Sequence, residues 1–148
     1  LSRWSENHAS LSGTVEQIRA LRPPAKERGM NIGRLYPFPF HSQLMAPVAL
    51  KVRDLAGDWE VGEPRIPVYS SVFLKHLQTP EDLKLEAFAG TVSPVRWFET
   101  VSRLRDDFGV RRLVNIGPTD TITKWIAQSQ GYRDIEVIDA WELCKPGQ

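Results

Sequence analysis

The sequence predicts an α/β protein whose strands run parallel, and three observations predict it. Short runs of β-formers alternate with segments of helical period. Glycines and prolines punctuate the junctions between them. The later strands are separated by helix-length spans, which a parallel crossover requires and a tight hairpin does not.

Composition narrows the function classes. The 148 residues are 41% hydrophobic and 25% charged, the profile of one ordinary globular domain. Nineteen Lys and Arg against eighteen Asp and Glu leave a charge of +1, so no bulk field favours nucleic acid or an anionic membrane. The one cysteine, Cys144, excludes an internal disulfide framework. No apolar run approaches the roughly 18 residues of a spanning helix, and the chain reads as cytosolic. It begins at Leu1 with neither an initiator Met nor a signal-peptide pattern, which suggests that something precedes it.

Taken in order, His8 to Ser12 alternates as a short half-buried strand ending at Gly13. Thr14 suits an N-cap, and Val15, Ile18 and Leu21 keep helical spacing until Pro23-Pro24 stops the pattern, with Gly29 closing the element. The run from Ile32 to Phe40 is rich in β-formers, but Pro37 and Pro39 restrict it to an edge strand or an extended segment, giving a βαβ-like start. Met45, Val48, Leu50, Val52 and Leu55 predict a helix with a broad apolar face, ended by Gly57. After a loop from Asp58 to Arg65, Ile66 to Ser71 predicts a buried strand running into a polar turn.

Thr79-Pro80 opens a further helix through Leu83, Leu85 and Phe88, broken at Gly90. Val95, Phe98, Val101, Leu104 and Phe108 hold the helical period most firmly, up to Gly109. Leu113 to Ile116 reads as a strand before Gly117-Pro118, then Ile122, Trp125 and Ile126 as a helix. Ile135 to Ile138 is the last strand, and Ala140 onward reads as a departing tail.

The candidate for chemistry is His41, in the block Phe38-Pro39-Phe40-His41-Ser42-Gln43-Leu44-Met45-Ala46-Pro47. An imidazole between aromatic side chains and the start of a helix can be held rigidly and still face a cleft. Taken alone it also fits a helix cap or a core edge, and Phe38 and Phe40 also fit plain packing. No Gly-x-Ser-x-Gly turn presents a serine, and neither Ser42 nor Ser93 has the glycine-flanked turn that would expose one. His8 and His76 read as surface polarity, and no spacing of His, Cys, Asp and Glu suggests a metal. Lys145 and Arg111-Arg112 read as solvated charges, or as a basic rim for an acidic partner.

The Phe38 to Pro47 block resembles the histidine signature of malonyl-CoA:acyl-carrier-protein transacylases and of the acyltransferase domains of polyketide and fatty acid synthases. Further blocks follow in the family's order. Ile66 to Ser71 is similar to its strand after the histidine, Ser93 to Val101 to its Pro-Val-Arg-Trp helix, and Val114 to Pro118 to its Glu-Ile-Gly-Pro turn. Upstream, His8 to Gly13 resembles the strand that the family writes Val-Val-Ile-Ser-Gly.

The resemblance implies part of a ferredoxin-like small subdomain over residues 1–40 and the C-terminal part of an α/β-hydrolase-like large subdomain over 41–148. It implies transfer of a malonyl-type group from coenzyme A to an acyl carrier protein, with His41 as general base and coenzyme A thioester as substrate rather than bound cofactor. Neither nucleic acid nor membrane takes part. The nucleophilic serine and the carboxylate-gripping arginine fall outside the matched region, which implies an N-terminal acyltransferase segment as partner, and Arg96 belongs to a helix block instead. Gly90 stands where the family has a glutamine whose main-chain carbonyl orients the histidine; the carbonyl survives, and the glycine loosens the hold. Phe40 resembles the malonyl-type motif, in which an aromatic ring limits room at the acyl α carbon. A non-catalytic module that docks a carrier protein or synthase is the reading of a different class.

Overall fold

Thr14 and Thr79 start their helices with the same device in the computed structural model, which describes residues 1–33 and 35–144. Each threonine hydroxyl accepts the N–H three residues on, and that residue's side chain accepts the threonine N–H. This reciprocal capping satisfies two of the donors that a helix start leaves orphaned. The described elements run β1 (Ser2–Arg3), β2 (Ala9–Ser10), α1 (Val15–Glu27), α2 (Ala46–Gly57), β3 (Val68–Tyr69), β4 (His76–Leu77), α3 (Pro80–Val92), α4 (Trp97–Phe108), β5 (Arg112–Asn115), α5 (Thr121–Gln128), β6 (Glu136–Asp139) and α6 (Ala140–Leu143). They fall into two units, one of Leu1–Ser2 with Ser10–Val95 and one of Arg3–Ala9 with Arg96 onward.

In the first unit α2 packs on α3, and the side chains these helices bury are small: Ala49, Ala56, Ala89 and Val92. The broad apolar face expected of α2 is therefore corrected, because Val48, Leu50 and Leu55 are exposed and the buried seam is the alanine stripe. β3 and β4 form an antiparallel hairpin with Val68 opposite Leu77 and Tyr69 opposite His76. The buried strand expected over Ile66 to Ser71 shrinks to these two residues, with Ile66 exposed. Ser70 builds the turn: its hydroxyl accepts the N–H groups of Val72 and Phe73 and donates to Glu86 at 2.6 Å.

Three other expectations change. α1 runs on through Pro23 and Pro24 to Glu27, since the helix buries only Ile18 and Ala25 and water can serve the carbonyls that the prolines leave without donors. No strand forms over the described residues of 32–40, where Pro37 and Pro39 lack ladder donors. α3 passes Gly90 and stops at Val92. Glycine inside a helix costs only about 1 kcal/mol, whereas Pro94 forces Ser93 out of the helical region.

The second unit follows the expected pattern more closely. β5 and β6 pair in parallel across α5, from Arg112 opposite Glu136 to Asn115 opposite Asp139. Its core is Val101, Ile126, Tyr132 and Ile135, with Trp97, Phe98, Leu113, Ile122 and Val137 against it. Gly109 ends α4 in the left-handed conformation, φ +67°, open to glycine at little cost. Burial pushes the Tyr132 phenol pKa up, and its hydroxyl donates to the Phe98 carbonyl. Hydrogen bonds from Thr123 and Asn115 hold the Asp139 carboxyl below its ordinary range. Residues 3–9 complete the unit, with Trp4 stacked on Trp125 at 5.4 Å and the Glu6 carboxylate accepting the N–H groups of Gln130 and Gly131. Of the expected tail, Ala140–Leu143 are helical, and Lys145 lies outside the described residues. No helix among the described residues is long and apolar enough to cross a membrane.

Candidate active site

His41 sits between an irregular, proline-containing segment and a single 3-10 turn, Gln43–Met45, that leads into α2. Its φ is +57°, a left-handed conformation that costs a non-glycine residue on the order of 1 kcal/mol. Hydroxyl groups brace the backbone on both sides. Ser42 Oγ donates to the Pro39 carbonyl at 2.6 Å, and Ser12 Oγ donates to the Phe40 carbonyl at 2.7 Å. Ser12 belongs to the segment before α1, so a contact across 28 residues over-determines the turn that holds the histidine.

The imidazole is fixed from a third direction. His41 Nδ1 lies 2.7 Å from the Gly90 carbonyl oxygen in the last turn of α3. A carbonyl can only accept, so Nδ1 carries the proton, and in the neutral ring Nε2 keeps the lone pair. The loosening expected from a glycine at position 90 is absorbed because the residue lies inside α3, where helix geometry sets its backbone.

Around this pair lies an open cavity of about 500 Å³, walled by Phe40, Met45, Val48, Val52, Val72 and Val95, with Glu86 as its acidic member. His41, Gly90 and Phe40 therefore meet on one cavity. Phe38 does not line it; it is exposed and packs on Phe40 at 5.5 Å between ring centroids. Sequence reasoning missed Glu86 and Ser70, a pair whose hydrogen bond joins the β3–β4 turn to α3. The only sequence signal for Ser70 was the Tyr-Ser-Ser end of a predicted strand. The hydroxyl of Ser42 donates to the Pro39 carbonyl. Arg111 and Arg112 are exposed but meet Asp134 at 3.6 Å and Glu136 at 2.6 Å.

Comparisons with known proteins bear on this geometry. No protein-family model matches the chain. Over 112 residues, 73% of its length, it is 31% identical to the malonyl CoA-acyl carrier protein transacylase of Bacillus subtilis, and it covers 34% of that protein. It superposes on an acyl-carrier-protein S-malonyltransferase from Burkholderia pseudomallei with a TM-score of 0.76 and 26% identity, over 86% of this chain and 41% of the other. A similar match, TM-score 0.73 and 27% identity over 86% of this chain and 40% of the other, is to a structure of a type II PKS acyl-carrier protein in complex with its malonyl-transacylase. The chain spans about a third of the length of the curated transacylase it matches. By sequence and by its α/β fold, this chain is similar to the malonyl CoA-acyl carrier protein transacylases over part of their length.

Proposed function

We propose that this chain carries the general base of a cytosolic acyltransferase that moves a malonyl-type group from coenzyme A to the phosphopantetheine thiol of an acyl carrier protein, in fatty acid or polyketide synthesis. One observation carries the reading: the 2.7 Å bond that fixes the His41 ring through Nδ1 and reserves Nε2 for proton transfer. The nucleophile is a serine on an N-terminal acyltransferase segment that completes the site. Residues 1–40 serve as part of a small ferredoxin-like subdomain and 41–148 as the C-terminal part of the large one.

The proton inventory closes with one base. As the serine Oγ attacks the thioester carbon, its proton passes to Nε2. Collapse of the tetrahedral adduct breaks the C–S bond, and the coenzyme A thiolate takes that proton from the imidazolium. In the second half the carrier thiol gives its proton to Nε2 while its sulfur attacks the acyl-serine ester. The C–O bond breaks and the serine oxygen regains the proton. The Gly90 carbonyl supports both halves, because its bond from Nδ1–H strengthens when the ring is charged. The thioester is the substrate, and no bound cofactor enters. Phe40 bounds the space beside the acyl α carbon, with Phe38 behind it.

The test mixes the chain with the serine-bearing part of a related transacylase, supplies malonyl-CoA, and follows malonyl transfer by intact mass. His41→Ala should lower transfer by about 10²- to 10⁴-fold. Unchanged transfer in that variant sinks the proposal. Tight carrier binding with no transfer in any combination would identify a docking module instead.

A further inference from the structure

The acceptor that holds His41 stands four residues before a proline. In an α-helix the carbonyl of one residue takes the N–H of the fourth residue on. For Gly90 that residue is Pro94, which has no N–H. Its neighbour shows the contrast, since the Ala89 carbonyl accepts the Ser93 N–H at 2.8 Å in the ordinary way. Pro94 also acts on the residue before it. Proline disfavours helical geometry at the preceding position, and Ser93 is extended at φ −102° and ψ 147°, so α3 cannot wind on. The following N–H, of Val95, is drawn off to the Oγ of buried Ser2 at 2.9 Å.

We infer that Pro94 is a positioning residue for the imidazole: by denying the Gly90 carbonyl its helical donor, it leaves the acceptor that selects the Nδ1–H tautomer of His41. Its bearing on catalysis rests on the reading of His41 as the base. The ring itself can be read without any substrate.

The experiment records ¹⁵N ring shifts of His41 in the full chain at about pH 8.5, well above the ordinary imidazole pKa. The wild-type ring should be mainly Nδ1–H, the opposite of the preference of a free histidine side chain. Pro94→Ala restores a donor and lifts the restriction on Ser93. Its residue-94 amide should become protected from hydrogen exchange, and the ring should shift toward Nε2–H. With the serine-bearing partner, kcat should fall on the order of tenfold with KM little changed, less than removal of the ring costs. A folded Pro94→Ala chain that keeps the Nδ1–H ring overturns the inference, and so does a wild-type ring that is mainly Nε2–H, which decides the matter even if the variant fails to fold. A shifted tautomer with undiminished transfer supports the role of Pro94 and instead overturns His41 as the base.

Discussion

The unit formed by residues 3–9 and Arg96 onward buries Tyr132, Ile126 and Val101, whereas the His41 unit buries alanines on its facing helices and leaves Val48, Leu50 and Leu55 in solvent. The contrast separates two ways of placing a side chain. Large interlocking groups fix their neighbours by volume, because interiors are close-packed and every void costs contacts. Small groups let backbones approach and leave orientation to hydrogen bonds. His41 is held in the second way, by one carbonyl on its ring and serine hydroxyls on its flanking backbone.

Substitutions test this contrast. The largest effect on stability belongs to Ile126→Ala, which should cost about 2–5 kcal/mol in denaturant melts, while Leu55→Ala, at 64% exposure, should change stability by less than about 0.5 kcal/mol. Equal losses would show that Leu55 is packed rather than exposed. Next comes Ser12→Ala, which removes the brace on the Phe40 carbonyl. It should cost about 1 kcal/mol and reduce acyl transfer several-fold in the reconstituted assay. Gly90→Ala has the opposite sign. A Cβ there meets nothing within 4 Å, and a helical glycine replaced by alanine should stabilise α3 by up to about 1 kcal/mol, seen as a raised Tm.

The smallest effect is the acid limb of the α3 cap. The hydrogen bond from Lys75, then that from the Gln78 N–H, holds the Asp82 pKa at about 2, below its ordinary 3.8. A depressed folded-state pKa means that this stabilisation is whole above the ordinary value and is lost as pH falls through about 2. Asp82→Asn should therefore lower Tm at neutral pH, with the two proteins converging toward pH 2. A gap that persists there would show that the cap does not depend on charge.

Legibility in the sequence followed the same division. The second unit could be read from periodicity, because α4 and α5 bury one face each, β5 alternates exposed and half-buried residues, and Gly109 marks a stop that only backbone freedom explains. In the first unit the signals misled. Pro23-Pro24 reads as a terminator, yet an exposed helix tolerates lost donors that a buried one would not. The apolar residues of α2 read as a core face, although helix contact used alanines. His41 stood out through its block, and the carbonyl at Gly90 through resemblance to a family. The relation of Pro94 to Gly90 needed the phase of α3, which ran past the glycine expected to break it.

The Glu6 carboxylate that secures Gln130 and Gly131 has a consequence for biosynthesis. Its partners lie 124 and 125 residues away. Contacts so distant in sequence are slow to close, so on the ribosome the His41 unit can gain most of its own contacts while the segment holding Trp4 and Glu6 waits for Gln130 and Gly131 to emerge.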